Sequence, residues 1–82
     1  MRLPRDLAGD ELVTRLEALG YRVTRQTGSH VRLTRVGEAG GHHVTIPRHR
    51  ELKIGTLSRI VKDVAGHLSL TPDELAERLW GG

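Results

Sequence analysis

The 82-residue sequence contains no cysteine and no phenylalanine, and only one tyrosine and one tryptophan. Without cysteine there can be no disulfide, no thiolate metal site and no thiol nucleophile, a composition that suits a reducing compartment. With so few rings the core must be built from Leu, Val and Ile. The aromatic platforms on which many proteins stack single-stranded nucleic acid are disfavoured for the same reason. Long apolar runs are missing too. No stretch approaches the roughly 20 residues of a membrane span, and the N-terminal MRLPRDLAGDEL lacks a signal-peptide apolar segment. The expectation is a soluble, cytoplasmic protein of one domain, residues 1–82, with no membrane association.

What is present is charge, unevenly spread. The chain is +3 overall, but residues 21–62 hold nine Lys or Arg against Glu38 and Glu51, while both flanks are net acidic. A basic middle between acidic ends suits a polyanion surface, or else a set of solvated strand and helix faces.

Periodicity then orders the elements. Leu12, Val13, Leu16 and Leu19 recur at helical spacing, with Asp10 and Glu11 where the helix dipole favours them and Gly20 as a C-terminal stop. Tyr21 and Val23 alternate with polar residues, as expected of a half-buried strand. TGS makes a turn, HVRLTRV alternates again, GEAGG reads as a loop, and HHVTIP is a third strand ended by Pro47. Leu57, Ile60, Val61 and Val64 predict a helix that stops at Gly66. TPDELAERLW starts a last helix with a capping box of Thr71 and Glu74 and with Pro72 in its first turn. The predicted fold is α+β: α-β-β-β-α with an antiparallel three-stranded sheet and both helices on one face, as in the double-stranded RNA-binding fold. A C-terminal helix over residues 71–80 extends it.

Parity sharpens this. If Val31, Leu33, Val44 and Ile46 face the helices, then His30, Arg32, Thr34, His43 and Thr45 lie on the open face. A loop centred near Ala39 sets His30 opposite Pro47 or His49, so Gly28-Ser29-His30 and Pro47-Arg48-His49 are expected neighbours. His42 and His43, being adjacent in a strand, point to opposite faces and cannot share one ion, so no metal site and no cofactor are expected. Arg59 and Lys62 read as a solvated helix face, and Trp80 as a packing anchor.

The segments LEALGYRVTRQTGSHVRL, HVTIPRH and LKIGTLSRIVKDV together resemble the HicA mRNA interferases, the YcfA-like toxins of bacterial toxin-antitoxin pairs, over roughly residues 8–65. The resemblance implies a double-stranded RNA-binding-like fold, metal-independent cleavage of mRNA, and a HicB-type antitoxin as inhibitor. It also implies that the histidine of the G-S-H motif, here His30, is needed for activity. Val31 departs from the pattern, since many members carry a second histidine there, and the helix 71–80 lies outside the minimal domain.

The chemistry suits these residues. RNA cleaves when its 2′-hydroxyl attacks the adjacent phosphate, provided a base takes that proton, an acid protonates the departing 5′-oxygen, and cations stabilise the phosphorane. The expected roles are His30 as general acid or base, His49 as its partner, Gly28 and Ser29 as phosphate contacts, and Arg32, Arg48 and Lys53 as phosphate ligands. Two other classes compete: a non-catalytic double-stranded RNA-binding module, which would bind but not cut, and a protein-binding adaptor, which would not bind RNA at any salt.

Overall fold

The computed structural model describes residues 2–38 and 40–81. Helix α1 (Gly9–Glu17) is followed by strands β1 (Arg22–Thr27), β2 (His30–Gly37) and β3 (Gly40–Pro47). Helices α2 (Ile54–Leu68) and α3 (Pro72–Trp80) complete the chain. The strands form one antiparallel sheet in the order β1-β2-β3, which is the expected α+β arrangement with its C-terminal helix.

One face of the sheet makes the core. Val31, Leu33, Val44 and Ile46 are buried against Leu12 and Leu16 of α1 and Leu57, Ile60, Val61 and Val64 of α2, with Leu75 and Leu79 of α3 in the same cluster. Each such Leu, Ile or Val contributes about 1.5–3 kcal/mol when fully buried, so this face can hold a chain with almost no aromatic core. Tyr21 is the exception, 1% exposed, and Trp80 packs half-buried at the margin. Leu7, also buried, is tied in where its carbonyl accepts the N–H of Leu52 at 2.7 Å.

The β2–β3 register follows parity: His30 pairs with Pro47, Val31 with Ile46, Leu33 with Val44 and Thr34 with His43. Of the two partners expected for His30, Pro47 is the one observed. The strands also run further than expected. Gly37 pairs with Gly40, so most of GEAGG belongs to the ladder, while the expected loop centre at Ala39 lies outside the described residues.

The first strand departs from expectation. Every residue of β1 is exposed, and Val23, which the register places on the helix side, is 43% exposed. The buried member of the anticipated alternation, Tyr21, precedes the strand. As an edge strand, β1 extends past the helix layer, so alternation there has nothing to bury against. Between Val23 and Arg25 the register slips by one residue. This bulge gives Thr24 an extra position on the strand.

Helix ends follow capping chemistry. After α1, Tyr21 N–H reaches the Leu16 carbonyl and Gly20 N–H the Glu17 carbonyl, with Gly20 at φ +98°, the Schellman pattern foreseen for this glycine. Helix α2, by contrast, does not stop at Gly66. It runs on to Leu68 and closes with Ser69 at φ +56°, whose neighbour Leu70 donates to the Ala65 carbonyl. Burial of Ala65 and half-burial of Leu68 and Leu70 draw the helix past the glycine. The capping box of α3 is present as expected: Glu74 N–H donates to Thr71 Oγ1 at 3.1 Å and Thr71 N–H to Glu74 Oε1 at 2.8 Å.

Candidate active site

Gly28 and Ser29 form a two-residue hairpin loop between the paired Thr27 and His30. Gly28 has φ +54° and Ser29 does not have positive φ, the arrangement of a turn that demands glycine first. His30 is therefore the first residue of β2, exposed on the face that the helices leave open. The Ser29 carbonyl accepts the N–H of Arg48 at 2.6 Å, so the G-S-H turn and the P-R-H segment are neighbours as the register required. Ser29 Oγ lies 3.5 Å from His30 Nδ1.

A cleft of about 410 Å3 at the edge of the sheet is lined by His30, His43, Thr45 and Pro47 and, from the helix side, by Val44 and by Arg59, Ile60 and Asp63 of α2. It crosses the outer edge of β3 onto α2. His43 is held by Thr34, whose Oγ1 is 2.7 Å from His43 Nδ1, and Thr34 Oγ1 in turn lies 2.9 Å from Thr24 Oγ1. Arg32 pairs with Thr45 across the ladder, on this same face. Among the described residues, neither the Arg32 nor the Arg59 side chain has a hydrogen bond or ion pair.

Three other expected site residues, Arg48, His49 and Lys53, are not among the residues lining this cleft. Arg48 makes a two-pronged ion pair with Asp10, with Nε to Oδ1 at 2.9 Å and Nη2 to Oδ2 at 3.1 Å, which holds the Asp10 carboxyl below its ordinary range. The His49 side chain is exposed beyond the strand end and outside the cleft, while its carbonyl accepts the N–H of Gly9 at 2.9 Å. Lys53 is the N-cap residue of α2 and lines a separate depression with Asp6 and Glu51. Asp6 raises the pKa of Glu51 through a hydrogen bond and like charge.

On the opposite side of β3, His42 joins a polar cluster. Its Nδ1 is 2.7 Å from the Tyr21 hydroxyl, its Nε2 is 3.2 Å from Asp63 Oδ1, and its ring stacks on His67 at 4.7 Å between centroids. His42 and His43 thus face apart, as strand geometry requires. Burial pushes the Tyr21 phenol up to about 12, with Arg35 opposing and Asp63 assisting. Burial lowers the pKa of His67, and electrostatic interaction with His42 and Arg35 adds to this against Asp63. Arg35, part of the basic middle, is bound here too, donating from Nε to the Leu19 carbonyl at 2.9 Å.

Arg59 is exposed on α2, as the solvated face read from the sequence requires, and His43 lies on the open face as expected; the sequence did not bring out that both line one cleft with His30. Arg59 and Asp63 stand one turn apart beside the apolar stripe of α2, the spacing that could have marked a polar flank reaching the sheet edge.

No match was found among curated proteins. Over residues 9–65 the sequence matches the HicA toxins of bacterial toxin-antitoxin systems, a span that takes in α1, the whole sheet and most of α2. With well over half of its length matched, and its G-S-H histidine at the mouth of a strand on an uncovered sheet face, the chain belongs to the HicA toxin family.

Proposed function

We infer that this toxin is an endoribonuclease that cuts mRNA by 2′-hydroxyl attack, with His30 as general acid or base. The observation that carries the reading is His30 itself, exposed on the helix-free face, in one cleft with Arg59 and near Arg32. In the reaction the 2′-oxygen bonds to phosphorus as its proton leaves to a base, and the bond to the 5′-oxygen breaks as an acid protonates that oxygen. The products are a 2′,3′-cyclic phosphate and a free 5′-hydroxyl. No protein nucleophile is consumed, and the developing phosphorane charge needs only nearby cations.

Arg32 and Arg59 meet that need, since neither side chain is committed to a carboxylate among the described residues. Gly28 and Ser29 suit a phosphate contact because the turn brings their backbone close to His30. Arg48 would reach phosphate only by leaving Asp10. Membership of a toxin-antitoxin family implies an antitoxin, and a HicB-type protein covering the His30 face would block the cleft and its cations together.

The test is cleavage of a synthetic RNA in EDTA by the wild-type protein and by His30→Ala. Rate loss of about 10²–10⁴-fold with cyclic-phosphate ends supports the reading. Equal cutting by both proteins removes His30 from the chemistry, and RNA binding without any cutting leaves a binding module in its place.

A further inference from the structure

The bulge in β1 has a chemical consequence across the sheet. Thr24 Oγ1 donates to the Arg32 carbonyl at 3.4 Å, and a carbonyl can only accept. A hydroxyl has one proton, so all three contacts are made together only in the network where Thr34 donates across 2.9 Å to Thr24. In that network Thr34 has spent its own proton, and the 2.7 Å contact is donated by His43 Nδ1–H. The same network leaves the Nε2 lone pair of a neutral His43 as an acceptor on the open face.

His43 is too distant along the sheet to share one phosphate with His30. It pairs with Thr34, four positions from His30. At a rise of about 3.4 Å per residue that is roughly 13 Å along the strand, and strand side chains stand nearly perpendicular to the sheet. Yet both histidines line the same cleft as Arg59, which is unpaired among the described residues. An imidazole acceptor and a guanidinium, in one cleft with His30 and with the Asp63 carboxylate turned to His42, match the alternation of hydroxyl and phosphate along a ribose chain.

We propose that the cleft between the β3 edge and α2 is a ribonucleotide subsite. It holds a nucleotide flanking the one at His30, with His43 Nε2 accepting from a ribose 2′-hydroxyl and Arg59 on a phosphate. This rests on RNA as the ligand of the His30 face and extends it from one residue to a strand path. The 2′-hydroxyl is the group that separates RNA from DNA, so the subsite selects RNA at a position where no bond is cut.

The experiment reads affinity, not turnover. Binding of a short fluorescein-labelled RNA to His30→Ala protein is measured by anisotropy in EDTA, with each ribose replaced singly by deoxyribose. One substitution is expected to weaken binding about two- to tenfold, and the same substitution to have no effect on His30→Ala/His43→Ala. His30→Ala/Arg59→Gln should bind more weakly, with a salt slope lower by about 0.7, the value of one lost phosphate contact on a single strand. Imidazole ¹⁵N shifts of the free protein should report His43 as the Nδ1–H tautomer, and Thr34→Val should release it. A deoxy effect equal in both proteins, an unchanged salt slope, or an Nε2–H tautomer overturns the subsite even where wild-type protein cuts RNA. Binding that depends on both residues sustains it even where wild-type protein cuts nothing, and absence of RNA binding at low salt overturns both.

Discussion

The carbonyl of Ser29 accepts the N–H of Arg48 at 2.6 Å, joining the turn before β2 to the segment after β3. This bond fixes the mouth of the sheet, and the hydrogen bond from Gly9 N–H to the His49 carbonyl at 2.9 Å ties α1 to the same place. His30 stands at a corner held from two sides, the kind of support a reacting side chain requires.

That corner depends on Gly9 having no side chain. A Cβ there would lie 1.9 Å from the Pro47 carbonyl oxygen, a contact that only backbone movement could relieve. Gly9→Ala should destabilise the protein by about 1–3 kcal/mol in urea unfolding, a cost typical of overpacking, although alanine is the better helix former. An unchanged or raised midpoint would show that α1 does not press on Pro47.

The end of α2 offers the opposite outcome. Gly66 lies inside the helix with open space around it, and Ser69 adopts a left-handed conformation that glycine adopts without strain. Gly66→Ala and Ser69→Gly should each raise stability by up to about 1 kcal/mol. Thermal unfolding of the single and double variants checks this, with near-additive gains expected only if the two sites, three residues apart, do not couple.

The only tyrosine is a spectroscopic handle on the polar cluster. Tyr21 should titrate near 12 by absorbance, since burial holds the phenol neutral. A group raised above its unfolded value of 10.0 gives its full stabilisation below that pH and loses it as pH rises through about 12. Alkaline unfolding should therefore coincide with the phenolate signal, and a transition at 10 would place the ring in water.

At the acid end His67 sets the sign. Its pKa is lowered from 6.5 by burial and by His42 and Arg35, so the unfolded chain binds its proton first. Stability should be fully present above pH 6.5 and decline as pH falls below it. His67→Gln should flatten this decline in a series of denaturant midpoints from pH 7 to pH 5.

Cleavage provides the functional counterpart. Replacing the reacting 2′-hydroxyl with hydrogen should abolish cutting by wild-type protein, as assayed on an oligonucleotide with one deoxyribose at the cut site. Undiminished cutting would rule out 2′-attack and leave hydrolysis by water as the remaining course.

Much of the scaffold was legible because burial is periodic. The stripe of Leu57, Ile60, Val61 and Val64 and the alternation through Val31, Leu33, Val44 and Ile46 are statements about one face each, and a period suffices for them. The same rule failed at Val23, because an edge strand beyond the helices has alternation without cover. It failed again at Gly66, where the pull of Ala65, Leu68 and Leu70 into the core outweighed a local helix breaker.

By itself the sequence determined which face each residue of β2 and β3 takes, and with it the exposure of His30, the separation of His42 from His43 and the meeting of the G-S-H and P-R-H segments. These follow from a two-residue repeat and a short loop, both local properties. Only the tertiary structure decided how the cations are used. Arg48 turns to Asp10 and Arg35 to Leu19, while Arg59 lines the cleft from another element. An ion pair or a shared cleft depends on distances between elements, and no period along the chain encodes the angle at which α2 crosses the edge of β3.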